Sequence, residues 1–485
     1  MSLRARVAPA PPAVTVAEVL RVGLPDYARA HRLPSHHWRV LRAILACRTP
    51  ELGGHLYQCS HCGERRFVPH SCRNRHCPTC QGANGYAWMQ AQAGALLPIP
   101  YFHLVFTLPH ALNPLIRQNQ ARCYELLFAC ASATLLEFGR GELQAQLGVT
   151  AVLHTWSQTL LDHYHLHCIV TGGGLREDGT WAARSPQWLF PVRALSAMFR
   201  GKFRAGLRQL YRDGRLQFHG QQQASAPPAA FAALVDQATR PPWVVYAKRP
   251  FAGPEVVLAY LARYTHRVGI TNHRLLALDQ RAHTVRFAYK DYAEQSRSKA
   301  LTLACAEFVR RLQLHLLPER FVKIRHYGLL ANRNRRTRIA AARAAMPAQA
   351  QRPDPPAPAA NAETVPEVPI GLPACCPHCH QQADWILVER LAPPPGLPGP
   401  VPRFLVMILA PSSPLPGSRS AAAAPAVPVL WPEGFPDPFC CRSPGHAAIG
   451  SAPSSFAARR PGPFNRAARR VNTAPGHPSR GYFPR

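Results

Sequence analysis

The sequence predicts an α+β protein: a central, mostly antiparallel sheet flanked by helices, preceded by a small cysteine-rich domain and followed by a Pro/Ala-rich disordered tail. Three observations predict it. Residues from 98 to 340 alternate apolar strand-like runs with segments of helical period. Residues 36–92 concentrate cysteines. Residues 346–485 hold about 30 of the 51 prolines, too many for a packed core. At roughly 100–200 residues per domain, the 485 residues allow two or three domains. Residues 1–35 read as a helical lead-in.

Within the middle region, Tyr101 to Leu108 (YFHLVFTL) is a β-rich run closed by Pro109. Asn113 to about Gly139 has helical spacing. Val149 to Gln158 and His165 to Thr171 read as strands, the second ending at three glycines. Arg193 to Arg212 is a basic helix, and Trp243 to Ala247 a short strand. Pro254 stands where a helix would start, running to Arg267. Thr271 to Leu278 and His283 to Tyr289 look like a strand pair. Ser298 to Leu317 reads as one long amphipathic helix.

The cysteine cluster holds two CxxC pairs, Cys59/Cys62 and Cys77/Cys80. Each pair can present two thiolates on a tight turn, and together they would complete a tetrahedral Zn²⁺ site. Closed in this way, zinc contributes folding energy and no catalysis. Cys47, His55, Cys72 and His76 are candidate ligands for a second zinc. The 15 cysteines are an odd, clustered set, which suits metal thiolates better than disulfides. Arg73 and Arg75 in the linker suit contact with phosphate.

Residues 163–167 read HYHLH. On a strand, side chains at i and i+2 share a face, so His165 and His167 supply half of a divalent metal site. A third ligand is needed, and His163, Gln158, His154 and His266 are all candidates. Residues 260–267 read YLARYTHR. On a helix Tyr260 and Tyr264 sit one turn apart on one face, with Arg263 and Arg267 on a neighbouring face. Phenols beside guanidinium groups suit attack on a phosphodiester. Each motif alone is weak; most HxH pairs and YxxxY pairs are incidental.

The formal net charge of +32 implies a polyanionic partner, of which nucleic acid is the commonest. No window approaches the roughly 18 apolar residues of a membrane span, and residues 1–20 lack the apolar run of a secretory signal. The expectation is a soluble cytoplasmic protein without a membrane partner.

Together the strings CRTPELGGH, HSCRNRHCPTCQ, YFHLVFTLPH, DHYHLHCIVTGGGL, YLARYTHRVGITNHRLL, YKDY and RHYGLLANRNRR resemble the HUH endonuclease superfamily. Within it, the match is to rolling-circle bacterial transposases of the insertion-sequence ninety-one type. The strings span residues 40–340 in the expected order. The resemblance implies an N-terminal zinc-binding domain that recognises element ends, followed by an HUH nuclease domain. It implies Mg²⁺ or Mn²⁺ on His165 and His167, Tyr260 and Tyr264 as nucleophiles, and Lys290 of YKDY near the phosphate. The implied activity is cleavage and rejoining of single-stranded DNA through a 5′-phosphotyrosine, acting on element ends and target DNA at the bacterial nucleoid. Competing readings are a plasmid replication initiator, a relaxase, or a catalytically decayed zinc DNA-binding protein. Cys376 and Cys379 resemble the start of a C-terminal cysteine segment of that family, but no matching second pair is evident in the tail; Cys440 and Cys441 are adjacent and distant.

Overall fold

A computed structural model describes residues 13–81, 96–184, 189–248, 257, 267–292, 294–346, 372, 373 and 375–393. The lead-in is α1 (Val16–Ala30), which Thr15 starts with a capping box: its hydroxyl accepts from the Glu18 N–H while the Glu18 carboxylate accepts from the Thr15 N–H. After α2 (Ser35–Leu45) come β1 (Gly54–Cys59) and β2 (Arg65–Pro69), an antiparallel pair.

β3 (Tyr101–Thr107) opens the middle region. The predicted helix from Asn113 is broken into α3 (Asn113–Gln118) and α4 (Gln120–Leu143). Buried Asn119 sits at the break, where its side chain accepts from the Gln217 N–H and donates to the Leu115 and Gln217 carbonyls. These local bonds compete with a continuous helix. The hairpin of β4 (Ala145–Trp156) and β5 (Asp162–Arg176) follows, longer than the sequence suggested, with β6 (Trp181–Ala183) on the far end of β5. The glycines that end HLHCIVTGGG continue the strand. A Cβ at Gly172 would meet the Pro100 carbonyl at 2.6 Å, and one at Gly174 the Gln146 carbonyl at 2.7 Å. They mark close backbone approach.

Next are α5 (Val192–Arg212), α6 (Pro228–Thr239), β7 (Val245–Lys248), β8 (Leu275–Asp279) and β9 (Thr284–Asp291). The segment expected to be one helix from Ser298 is instead β10 (Arg297–Ala304) followed by α7 (Cys305–Gln313). Its spacing fits both periods, and β9 supplies an antiparallel partner along all eight residues of β10. The chain then forms β11 (Ile324–Gly328), α8 (Arg335–Ala344) and β12 (Trp385–Leu391). β12 lies within the stretch expected to be a disordered tail; six of the seven residues of its apolar-rich run, WILVERL, find partners in β1, with Val388 passed over at a bulge.

The main sheet runs β11-β4-β5-β3-β7, and every pairing among the described strands is antiparallel. Alternation divides its two faces. Leu104 and Phe106 of β3, Leu153 of β4 and Leu166, Cys168 and Val170 of β5 enter a core with α4, α5 and α6, which includes Tyr124, Phe128, Phe199 and Phe203. Burying each such aromatic contributes about 1.5–3 kcal/mol relative to exposure. The other face of β3, β4 and β5 carries His103, His154, His165 and His167. A second core joins α1, α2, α7 and the three-stranded sheet β10-β9-β8. The lead-in is thus a structural part of the molecule: a Cβ on Gly23 of α1 would lie 2.5 Å from the Cys305 backbone.

Candidate metal centres and active site

His165 and His167 share a face of β5, as the spacing requires, and His154 on β4 pairs directly with His165. The three rings each offer a nitrogen within 4.8 Å of the others, and all three residues are buried. Of the three candidates for a third ligand among the described residues, His154 is the one that lies with His165 and His167. His163 lies at the rim, its Nδ1 3.2 Å from His110 Nε2. Gln158 turns away and donates from Nε2 to the Tyr292 hydroxyl at 3.0 Å. His266 falls outside the described residues, as do Tyr260, Arg263 and Tyr264.

For His165 and His167, second contacts engage Nδ1. His165 Nδ1–H donates to the His163 carbonyl at 2.7 Å, leaving Nε2 free to ligate. His167 Nδ1 lies 2.9 Å from Nε2 of His103 on β3, the two rings stacked with planes 8° apart. Trp156 stacks on His154 with centroids 4.6 Å apart. Burial pushes His165 down to about 3 and His167 well below the usual imidazole range, and the nearby Arg267 charge pushes the same way. Neutral imidazoles are the ligating form. His103 was not anticipated as a site residue. Its signal was a polar side chain in an otherwise apolar strand, on the face opposite Phe102, Leu104 and Phe106.

Lys290 lies on β9, opposite Ser298 of β10. Lys323, just before β11, donates from Nζ to the Arg267 carbonyl at 3.1 Å. Arg75, His76, Trp156, Arg267, His315 and Lys323 line one small pocket beside the histidine face.

The cysteines regroup relative to the sequence expectation. Cys77 and Cys80 gather with Cys47 and Cys72, while Cys59 and Cys62 gather with Cys376 and Cys379. In the first quartet Cys80 Sγ lies 3.5 Å from Cys47 and 3.6 Å from Cys72. In the second, Cys59–Cys379 and Cys62–Cys376 are 3.9 and 3.6 Å apart. The two CxxC turns therefore do not share one ion. Antiparallel pairing carries Cys59 to the end of β1, across from Trp385, and brings the Cys376 turn to it. Hydrogen-bond contacts among these sulfurs split their acidities, pushing Cys72 and Cys77 up and Cys47 and Cys80 down; four clustered sulfurs are the donor set that tetrahedral zinc takes as thiolates.

Two other candidates are corrected. His55 faces His70, their Nε2 atoms 3.4 Å apart, and His76 is buried against α7's end, accepting from the Leu317 N–H; neither joins a quartet. Arg75 turns inward, donating to the Phe321 and Pro318 carbonyls, so its guanidinium braces the chain before β11. Arg73 remains exposed.

A sequence-family model described as "Transposase zinc-binding domain" matches residues 19–108, and one described as "Putative transposase" matches residues 148–338. "Putative transposase y4qJ" of Sinorhizobium fredii is 45% identical over 332 residues, covering 68% of this chain and 83% of that protein. The chain belongs to the insertion-sequence ninety-one type transposases. The transposase for insertion sequence element IS801 of Pseudomonas savastanoi pv. phaseolicola is 31% identical over 299 residues, 60% of this transposase and 69% of that one. Among solved structures, the metal-bound conjugative relaxase TrwC in complex with oriT DNA matches at 18% identity, over 36% of this chain and 73% of that chain. Its TM-score is 0.20, and a metal-free TrwC complex scores the same at 16% identity. The zinc-binding range contains six of the eight clustered cysteines but ends far before Cys376 and Cys379. The transposase range contains all three clustered histidines.

Proposed function

We propose that this transposase cuts and rejoins single-stranded DNA at element ends through a 5′-phosphotyrosine, in rolling-circle transposition. The observation that supports the reading is the convergence of His154, His165 and His167 on one sheet face, with Nδ1 of His165 and of His167 already engaged. Three neutral imidazoles fit a divalent cation. They are softer donors than the oxygens Mg²⁺ prefers, so Mn²⁺ suits the set better than Mg²⁺. Bound there, the ion would polarise the scissile phosphate and offset its charge.

The nucleophile on this reading is Tyr260 or Tyr264. The phenolate oxygen attacks phosphorus, the bond to the 3′ oxygen breaks, and that oxygen leaves as a 3′-hydroxyl after taking a proton. The phosphodiester energy is kept in the phosphotyrosine, so the step reverses and rejoins strands. A second tyrosine permits a second transfer before the first link is released. Arg267, whose charge reaches His165 and His167, would stabilise the anionic phosphate on this reading. The two cysteine quartets hold structural Zn²⁺ and shape the domain that binds element ends, with Arg73 on its surface. The place of action is the nucleoid.

The test is incubation with a labelled, hairpin-bearing single-stranded oligonucleotide and Mn²⁺. A covalent protein–DNA band is expected, lost in the Tyr260→Phe/Tyr264→Phe double variant. An adduct that persists in the double variant, or none with any end sequence, overturns the mechanism.

A further inference from the structure

β7 ends one side of the main sheet among the described strands, and its two faces differ. Val245 enters the core, with Ala247 packed against it. Tyr246 pairs with Val105 of β3, and Val105 pairs with His167 of β5. Paired residues of antiparallel strands point to the same face. Tyr246, Val105 and His167 therefore form one row across the sheet, two strand spacings or roughly 10 Å from the tyrosine to the histidine. One step along, Val244 accepts from the Thr107 N–H, and Thr107 pairs with His165. Tyr246 is 55% exposed and Val244 65%. Solvent-facing edge strands are ordinarily blunted with charge or proline. β7 carries a lysine, Lys248, at its far end, but beside Val105 and Thr107 the edge presents an aromatic ring and an aliphatic side chain, in line with the buried imidazoles of a chain with a net charge of +32.

We propose that Tyr246 is a stacking platform for a base of single-stranded DNA that reaches the histidine face over β7. The inference rests on the reading of single-stranded DNA as the substrate, and it adds where the strand lies. An exposed ring takes any base, because every base has a π-face. A duplex, with its bases already stacked, has nothing to offer it. Val244 widens the apolar floor beside the ring, while the positive charge of the chain holds the backbone.

The experiment is equilibrium binding of fluorescein-labelled oligo(dT) to the full chain without added Mn²⁺, comparing wild type, Tyr246→Ala and Tyr246→Phe. Zinc content and thermal melting serve as folding controls. Removing one stacking contact is expected to weaken binding roughly 5- to 150-fold. Tyr246→Phe should stay within a few-fold of wild type, and the difference between the variants should shrink on an abasic strand of equal length. Equal affinity of the Ala variant overturns the platform. So does a Phe variant as weak as Ala, which would assign the role to the hydroxyl. An equal loss on duplex DNA, or a change in oligomeric state without loss of oligo(dT) affinity, overturns it as well. The cleavage reading stands or falls separately, since wild-type adduct formation does not depend on this comparison. An adduct with no effect of Tyr246→Ala sinks the platform alone, and a stacking loss with no adduct sinks the cleavage chemistry alone.

Discussion

At the scale of single residues, the histidine face shows how a pair becomes a site. Two imidazoles on alternate positions of β5 are legible in any sequence that reads HLH. The third, His154, was one candidate among four, because choosing it required the register of β4 on β5. His103 required more still: its contact with His167 spans 64 positions, and no local spacing announces it. Its part is to hold the His167 ring so that Nε2 faces inward. His103→Ala should lower Mn²⁺ affinity by about 10- to 100-fold, read by titration against a competing chelator. His103→Gln, which keeps an acceptor at that place, should recover part of it. Unchanged affinity in the Ala variant would show that His167 needs no orientation from β3.

At the scale of elements, pairing decided what periodicity left open. The run from Ser298 has apolar positions that satisfy a helix, yet its first half is β10 because β9 offers a full ladder. The cysteines obey the same logic. Two CxxC turns near each other in sequence suggested one tetrahedral site. In the fold, each meets a different pair of cysteines, and one of those pairs comes from beyond residue 370. The strand β12 lies along β1 through six residue pairs, and the Cys376 turn closes the quartet beside it. A zinc bound there fastens two segments more than 300 positions apart, so the N-terminal zinc-binding region is completed from the C-terminal side. Full-length protein should therefore hold two zinc ions per chain, and Cys376→Ser/Cys379→Ser should hold one. The measurement is metal analysis after purification in chelator-free buffer. Two ions retained in that variant would refute the split quartet.

At the scale of the whole molecule, the cysteine region and the histidine face share one packed seam. Arg75 and His76 from the zinc loop meet Lys323 and Arg267 beside Trp156, which stacks on His154. Burial of its ammonium pushes Lys323 down to about 7, with the Arg75 charge adding to the effect. The unfolded chain holds that proton up to the ordinary lysine range, so between about pH 7 and 10.5 it binds more protons than the folded one. This destabilising contribution is absent above that range, grows as pH falls through it, and is complete below about pH 7. Lys323→Met should melt a few degrees higher than wild type at pH 7, on the order of the shift that 1 kcal/mol gives. The gap should close as pH rises toward 10. A variant that melts lower at pH 7 would show that the amine stabilises the seam instead. No helix among the described residues is long and apolar enough to cross a membrane, in keeping with the hydropathy of the chain. By itself the sequence determined the α+β class, the two chemistries of cysteine and histidine, and the positions of His165 and His167, because periodicity and spacing are local properties. Only the tertiary structure decided which cysteines gather into each quartet, that His154 joins His165 and His167, and that Arg75 faces inward. Those depend on strand register and on contacts between distant segments, which no local pattern encodes.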